Sequence, residues 1–475
     1  MKNDAFFDLL QSMEKDQFQR FQKYVRIYIQ KGNQALRLFE QYCQLRGSKK
    51  NKDKEIDREK VFTAFIEKEG LKAPRKHLLN LVNVINDVLK KFLISERLEE
   101  ERGTCDLFLS KIYIEKGLGK HWEIHFKKAV KRLKNRPHDI DAHLELSQLY
   151  AQRYYYLGKK QNKYDNQNAM DSMLQLDEYF LSLKLKWSTE LHSNKNIFGK
   201  QHDIRFLSEL MKACEKLKGK LSAYQEMYLQ ALILFRTPTE SNYQALKEKL
   251  YLQHEHIAKV EVANVLNLLN NYNALLIKGG TDRLEAAYEI CQKAIKYSCL
   301  DQMNADFLLN AVNLSCDKHD LALAEQFFQA LNQNFADRND AILISNARIR
   351  LSKGEYQAVI DMLLPEEGQQ FQSPSMSIRT RVLKAQAYYE LDEVVQLDNA
   401  LRSFNDYCKR EKNQSLSLDT FKSVKQFILF LRRLNRLELF DEKGYKKLYN
   451  ELRSSKNIIA KTWLLQKINA AFQFE

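Results

Sequence analysis

Apolar residues recur at spacings of three and four along most of the chain, which is the period of an amphipathic α-helix. In the first hundred residues the clearest run begins after Pro74 and ends at Phe92. Its apolar positions are Leu78, Leu81, Val82, Ile85, Val88, Leu89 and Phe92, flanked by Leu79, Val84 and Leu93. So broad a face predicts a helix that is buried on more than one side. With the shorter runs before it, the pattern predicts an N-terminal helical bundle over residues 1–100.

The apolar pattern repeats between Asn273 and Cys408. Windows that start at Ala274 and Ala311 align without a gap at a shift of 37 residues, and a third, from Ala347, follows at 35 or 36. Each window predicts a pair of short amphipathic helices. Because such a pair cannot bury its apolar face alone, neighbouring pairs must stack. We therefore expect a helical solenoid over residues 261–475, with its last two helices as a cap, and basic helical hairpins over 101–260. Within the hairpins, Tyr154 to Tyr156 and Met173 to Leu185 are candidate core segments.

Composition favours the same fold class, all-α. The chain has only 14 glycines and 5 prolines in 475 residues, and 44% of its residues are hydrophobic. Its seven cysteines form no Cys-x-x-Cys pair, which is typical of reduced thiols in the cytosol. The N-terminus lacks the apolar run of a signal peptide, and no stretch reaches the roughly 18 apolar residues of a membrane span. These features predict a soluble cytoplasmic protein with no membrane partner.

The positive charge is concentrated in the first part of the chain. Residues 1–260 hold 48 Lys or Arg against 34 Asp or Glu, whereas residues 261–475 hold 28 against 27. Nearly all of the net charge of +15 therefore precedes the clear repeats. A basic half can attract polyanions, whereas the repeat half is close to neutral.

A basic run between Lys111 and Arg136 supports two interpretations. It holds nine Lys or Arg against two Glu, and Trp122 and Phe126 share one face of its helix. In one interpretation the run binds a nucleic-acid backbone while aromatic residues stack on bases. In the other, the lysines face solvent while Trp122 and Phe126 pack in the core. The candidate basic patch consists of Lys127, Lys128, Lys131, Arg132 and Lys134.

Two of the repeat windows resemble the second helix of tetratricopeptide repeats. They are Gly354-Glu-Tyr356-Gln-Ala-Val359-Ile and Ala287-Tyr-Glu-Ile-Cys291-Gln-Lys-Ala294. The period is longer than the family's usual 34 residues, and Val359 stands where the family has a small residue. The resemblance covers roughly the last 200 residues and implies a divergent array of tetratricopeptide-like hairpins.

A second resemblance covers nearly the whole chain. It is carried by Phe7-Asp-Leu-Leu10, by Met13-Glu-Lys-Asp-Gln-Phe18-Gln-Arg-Phe21, by the helix from Arg75 to Ile94 and by the run from His121 to Arg136. These segments resemble a bacterial family of uncharacterised all-helical proteins that continue into tetratricopeptide-like hairpins. The resemblance implies a fold and no agreed activity.

The sequence holds no motif that predicts catalysis or a cofactor. There is no Gly-rich phosphate loop, no Gly-x-Ser-x-Gly elbow and no paired cysteine nucleophile. His121 and His125 have the spacing of metal ligands, but no third ligand has a sequence signature. Pro137-His138-Asp139 is typical of a loop, and His254 with His256 is typical of a solvated helix turn. We therefore predict no catalytic residue, no metal site and no cofactor, with a cryptic hydrolase or metal enzyme as the third possibility.

We predict a non-enzymatic scaffold that binds a protein or peptide partner on a groove of the repeat array. The residues expected to line that groove belong to the first helix of each pair: Asn310, Asn313, Asn346 and Arg350. The alternative is a nucleic-acid-associated protein that uses the basic half. The sequence does not indicate the oligomeric state or which partner is bound.

Overall fold

The computed structural model describes residues 5–47, 58–70, 75–136, 140–161, 165–198, 203–278, 281–364, 374–411, 418–437, 441–455 and 458–472. Within these ranges the chain forms 23 α-helices with short 3-10 helices between some of them, and no β-strand. The predicted all-α fold class is confirmed. None of the described helices is both long and apolar enough to span a bilayer.

The chain divides into two compact units. The first is Met1–Pro137 with Asp141–Leu176, and the second is His138–Ile140 with Asp177–Glu475. The boundary lies inside α9 (Asn166–Phe198), a single helix of 33 residues. The predicted division at residues 100 and 260 stays a prediction, although the core of the second unit includes Ile257 and Val262 on either side of residue 260.

The first unit contains two hydrophobic cores, one extending from Phe6 to Phe92 and the other from Leu107 to Tyr150. The seven apolar residues predicted for the helix after Pro74 are all buried, but Leu79 and Val84 are 37% and 45% exposed. That helix therefore buries one broad face, and the prediction of burial on more than one side is wrong. The helices are α1 (Ala5–Ser12), α2 (Lys15–Tyr28), α3 (Gln34–Gly47), α4 (Arg58–Glu69), α5 (Arg75–Glu100), α6 (Arg102–Glu115), α7 (Gly119–Lys134), most of α8 (Ile140–Gln161) and the start of α9.

The second unit has one continuous hydrophobic core from Leu181 to Ile468. Its helices are the rest of α9, then α10 (Leu207–Lys216), α11 (Ala223–Arg236), α12 (Glu240–Gln253), α13 (Lys259–Lys278), α14 (Leu284–Lys296), α15 (Ala305–Asp317), α16 (Leu321–Asn334), α17 (Asn339–Ser352), α18 (Tyr356–Leu363), α19 (Pro374–Glu390), α20 (Val394–Glu411), α21 (Leu418–Leu434), α22 (Glu442–Ser454) and α23 (Lys461–Phe472).

Helices α11 to α20 pack as five consecutive pairs, each a first helix (α11, α13, α15, α17, α19) on the second helix that follows it. First helices of successive pairs also pack on each other, α11 on α13, α15 on α17 and α17 on α19. The predicted small positions Ala311 and Ala347 are buried, as a close approach of helices requires. Ala274 is exposed, so the first aligned window does not place its small residue in the core.

Three first helices end in the same turn. After α15, α17 and α19, a residue takes a positive φ: His319 (58°), Gly354 (80°) and Asp392 (58°). The next N–H then donates to a carbonyl five residues back, from Asp320 to Ser315 (2.9 Å), from Glu355 to Arg350 (3.0 Å) and from Glu393 to Tyr388 (3.0 Å). This left-handed cap satisfies carbonyls that the helix leaves open. The three turns, at positions 319, 354 and 392, repeat nearly in step with the sequence windows.

Candidate functional site

The four predicted groove residues lie on two first helices that pack on each other. Asn310 and Asn313 belong to α15, and Asn346 and Arg350 belong to α17. Asn310 is exposed, and the other three are half-buried. The fold therefore places residues from different repeats on neighbouring helices, as predicted. Whether they contact a partner stays a prediction.

Each of these side chains already has a contact within the chain. Asn310 Oδ1 accepts from Arg379 Nη2 at 2.8 Å, and Asn313 Nδ2 donates to the carbonyl of Leu309 at 2.9 Å. Arg350 donates to Asn346 Oδ1 at 3.2 Å and to Glu355 at 2.8 Å. In each asparagine one polar atom of the side-chain amide, either the oxygen or the nitrogen, is hydrogen-bonded. The other polar atom has no hydrogen-bond partner among the described residues. An amide with a free donor or acceptor can pair with a peptide backbone.

The contact between Asn310 and Arg379 joins helices that are two pairs apart. Arg379 lies on α19, whereas Asn310 lies on α15, and α17 packs on both helices. A similar contact joins α9 to α13, because Lys186 Nζ lies 2.9 Å from Glu261 Oε1. In both places polar side chains of the chain itself bridge helices that are not consecutive. The sequence pattern gave no sign of these long-range contacts.

The last helix, α23, extends back towards the ends of the first helices. Trp463 Nε1 and Lys467 Nζ donate to the carboxylate of Glu390, at the end of α19, at 2.9 and 2.7 Å. Gln466 Nε2 lies 3.3 Å from His319 Nε2, in the turn after α15. Helix α23 also packs on α21 and α22. Helix α23 was predicted to cap the open end of the array. The contacts with Glu390 and His319 join it to earlier helical pairs.

The basic patch of the first unit divides into two sets. Lys127, Lys131 and Lys134 are exposed and line a groove of about 580 Å³ between α7, α8 and the start of α9. Arg132 is paired with Asp106, whose side chain is only 5% exposed, and Lys128 lies outside the groove. Arg153 of α8, which the sequence did not suggest, faces the same groove. Its guanidinium lies 4.6 Å from the ring centre of Phe126.

The tryptophan of the basic run belongs to the core. Trp122 is fully buried, its Nε1 donates to Ser110 Oγ at 2.8 Å, and its ring packs against Tyr156. Phe126 and Tyr150 are also buried. Base stacking requires exposed ring faces. Trp122, Phe126 and Tyr150 therefore provide no stacking surface, in agreement with the interpretation that places the aromatic residues in the core, whereas Tyr155 of α8 is 62% exposed.

Helix α9 exposes apolar side chains that we expected in the core. The stretch from Met173 to Leu185 is typical of a buried segment, yet only Leu181 and Leu185 have buried apolar side chains. The exposed apolar residues of α9 are Met170, Met173, Leu174, Leu176, Phe180 and Trp187, which are between 48% and 60% exposed. The expectation of a core position for Met173 and Phe180 is wrong. Exposed apolar residues grouped on one helix are typical of contact surfaces.

A buried polar network joins α9, α11 and α13. Tyr228 Oη donates to Glu261, which also accepts from Lys186 at 2.9 Å and from Asn264 at 3.1 Å. Burial raises the pKa of Tyr228 well above its ordinary value, and the neighbouring Glu261 carboxylate raises it further. Desolvation raises the pKa of Glu190, while Lys186 opposes that shift. Such groups can mark a catalytic centre, but here the contacts of Tyr228 and Lys186 with Glu261 tie α11 and α9 to α13.

Among the described residues, no group of three or more His, Cys, Asp or Glu side chains is arranged to hold a metal ion. His125 Nε2 lies 3.1 Å from the carbonyl of Asp106, and His254 stacks on Tyr297 with ring centres 4.0 Å apart. His138 and Asp139 lie outside the described residues.

Comparisons with protein-family models, with curated proteins and with solved structures find no match for this chain.

Proposed function

We propose that the protein is a non-enzymatic scaffold whose helical pairs form a tetratricopeptide-like α-solenoid and bind an extended segment of a partner protein. The partner segment contacts the polar side chains of α15 and α17. In this proposal Asn313 and Asn346 hydrogen-bond to the main chain of the segment, and Arg350 pairs with a carboxylate of the partner. The resemblance to the bacterial all-helical family forms part of the same proposal.

The observation that carries the proposal is the arrangement of Asn310, Asn313, Asn346 and Arg350 on adjacent first helices. Side chains that are 36 residues apart in sequence, such as Asn310 and Asn346, lie on helices that pack together. Stacked hairpins form an extended surface to which each repeat contributes at the same position. The free amide ends of the asparagines match the alternating donors and acceptors of a peptide backbone.

A screen of displayed random peptides against the purified full chain tests this proposal. Selected peptides are remeasured with the Asn313→Ala/Asn346→Ala variant. Each lost hydrogen bond costs about 0.5–1.5 kcal/mol, so we expect affinity to fall about tenfold. The matched control, Gln329→Ala/Asn332→Ala, changes two exposed side chains of the second helix α16. It should bind like the wild type. Selected peptides that bind both variants equally well would place the contact elsewhere.

In the nucleic-acid alternative Trp122 cannot stack on a base because it is buried, whereas Tyr155 of α8 is 62% exposed. The electrostatic part of this alternative depends on the exposed side chains of Lys127, Lys131 and Lys134 on α7. The alternative predicts salt-sensitive binding of oligonucleotides that weakens when Lys127, Lys128, Lys131 and Arg132 are changed to Glu.

A further inference from the structure

The groove beside α7 brings cations from two helices together. Lys127, Lys131 and Lys134 follow one another at spacings of four and three, so they lie along one face of α7 in a row about 10 Å long. Arg153 of α8 and the amides of Asn135 and Asn168 line the same groove. Its floor includes the buried side chains of Phe126 and Tyr150. This arrangement combines several positive charges with amide groups around one concave surface.

The lysines of this row have no carboxylate partner among the described residues. No ion pair formed by the described part of the chain involves Lys127, Lys131 or Lys134, and the contact of Lys134 is with the Tyr150 ring, at 6.0 Å. The two carboxylates that line the groove, Asp165 and Asp171, accept hydrogen bonds from Asn168 and Gln167 at 2.6 and 2.8 Å. Like charges three and four residues apart repel each other on a helix. A bound anion relieves that repulsion.

The guanidinium group of Arg153 has a hydrogen-bond donor that no described residue satisfies. One arm of its guanidinium donates to Glu123 at 2.9 Å, while its Nε is buried and has no hydrogen-bond partner. A buried donor without a partner is costly, and the guanidinium group that carries this donor lines the groove. Guanidinium groups pair well with phosphate oxygens.

A second groove, in the other unit, provides a contrast. It has a volume of about 410 Å³ and is lined by Arg402, Arg432, Arg436 and Asp398, among others. There Asp398 is paired with Arg402 and lies 3.9 Å from Arg432. Arg402 and Arg432 therefore already share one carboxylate within the chain, whereas Lys127, Lys131 and Lys134 have none among the residues that the structure describes.

We infer that the groove between α7, α8 and the start of α9 is a binding site for linked phosphate groups. The lysine row is about 10 Å long, so a chain of two or three linked phosphates matches its length better than a single phosphate does. The groove has the volume of a small-molecule site, about 300–1,000 Å³. The buried aromatic floor cannot stack on bases, so recognition depends on the phosphates. This site is independent of the proposed scaffold function.

Calorimetric titration of the full chain with tripolyphosphate at low ionic strength tests the site. The groove variant is Lys127→Gln/Lys131→Gln/Lys134→Gln. The matched control, Lys111→Gln/Lys116→Gln/Lys120→Gln, removes the same charge from exposed lysines of α6, of its C-terminal end and of the start of α7 that do not line the groove. We expect the groove variant to bind at least about tenfold more weakly and the control to stay within about twofold. Circular dichroism shows whether both variants keep their helices.

Titration with an oligonucleotide, and comparison of the two variants, distinguish the possible outcomes. A single-stranded oligonucleotide that binds like tripolyphosphate, with the same loss in the groove variant alone, supports the site and shows that it accepts linked phosphates from a nucleic acid. Equal losses in both variants would show that the general charge of the surface is responsible, and they overturn the site. Absence of tripolyphosphate binding by the wild type overturns it as well.

Discussion

Arg379 of α19 donates a hydrogen bond of 2.8 Å to Asn310 of α15, across 69 residues of sequence. Helix α17 packs on both of these helices, so the bond joins first helices that are two pairs apart. It shows that a side chain of α19 extends past α17 to α15. Any partner segment at Asn310 must lie beside the bond or displace it.

A double-mutant cycle measures this contact. We expect Asn310→Ala and Arg379→Met to show a coupling free energy of about 0.5–1.5 kcal/mol in urea unfolding of the second unit, because each change removes the same hydrogen bond. Arg379→Met combined with Asn332→Ala, on α16, should be additive within about 0.5 kcal/mol. Additive behaviour of both pairs would mean that Arg379 does not hydrogen-bond to Asn310 in solution.

The hydrogen bonds from α23 to Glu390 predict that Glu390 stabilises the fold. Glu390→Ala leaves the Trp463 indole and the Lys467 ammonium without the acceptor that they share, and Trp463 is only 7% exposed. We expect unfolding free energy to fall by about 1–3 kcal/mol. Glu248→Ala, at an exposed position of α12, should change it by less than about 0.5 kcal/mol. If the two changes have equal effects, α23 is not held by Glu390.

The three tryptophans differ in exposure, which fluorescence quenching can detect. Trp187 is 53% exposed, whereas Trp122 and Trp463 are 0% and 7% exposed. Iodide should therefore quench one tryptophan in the folded protein, and Trp187→Phe should remove most of that quenching. In urea all of the tryptophans should become accessible. Strong quenching that persists in the Trp187→Phe variant would contradict the buried position of Trp122.

Buried thiols and phenols make the fold sensitive to alkali. Burial raises the pKa of Cys291 to about 12, that of Cys408 to about 11 and that of Tyr389 to about 12. The folded state therefore holds these protons more tightly than the unfolded state does. Their contribution to stability is complete below the ordinary thiol pKa of 9.0 and is lost as pH rises towards the raised values.

Urea unfolding between pH 8 and pH 11 checks this linkage. We expect the unfolding free energy to decrease as pH rises above 9, and we expect Cys291→Ala to reduce the slope because it removes one of the linked protons. A stability that is constant over this range, or that increases, would contradict the burial of these groups.

The helices could be predicted from sequence because apolar spacing records the buried face of each one. All seven residues predicted for the main face of α5 are buried. Spacing does not tell whether a second element covers the flank of that face. For this reason Leu79 on α5 and Phe180 on α9 were expected inside, although both are exposed.

The repeat register could be predicted in part. The turn at Gly354 has a visible sequence signal, since glycine favours positive φ. The equivalent turns at His319 and Asp392 have a weaker signal, because residues with a side chain rarely take that conformation, although Asp and His do so more often than most. The residues of the candidate site could also be predicted only in part. Asn310 could be selected from its position in a window, whereas Arg379 and Arg153 reach their sites through contacts that no local pattern contains.

The most direct test of the scaffold proposal is affinity capture of the tagged protein from cells that express it, after nuclease treatment, with mass-spectrometric identification of what is retained. The captured partner is then purified and titrated against wild type, Asn313→Ala/Asn346→Ala and the α16 control. The proposal predicts one protein partner that survives nuclease and binds about tenfold more weakly to the first-helix variant alone. A partner that disappears with nuclease, or that binds all three proteins equally, would contradict it.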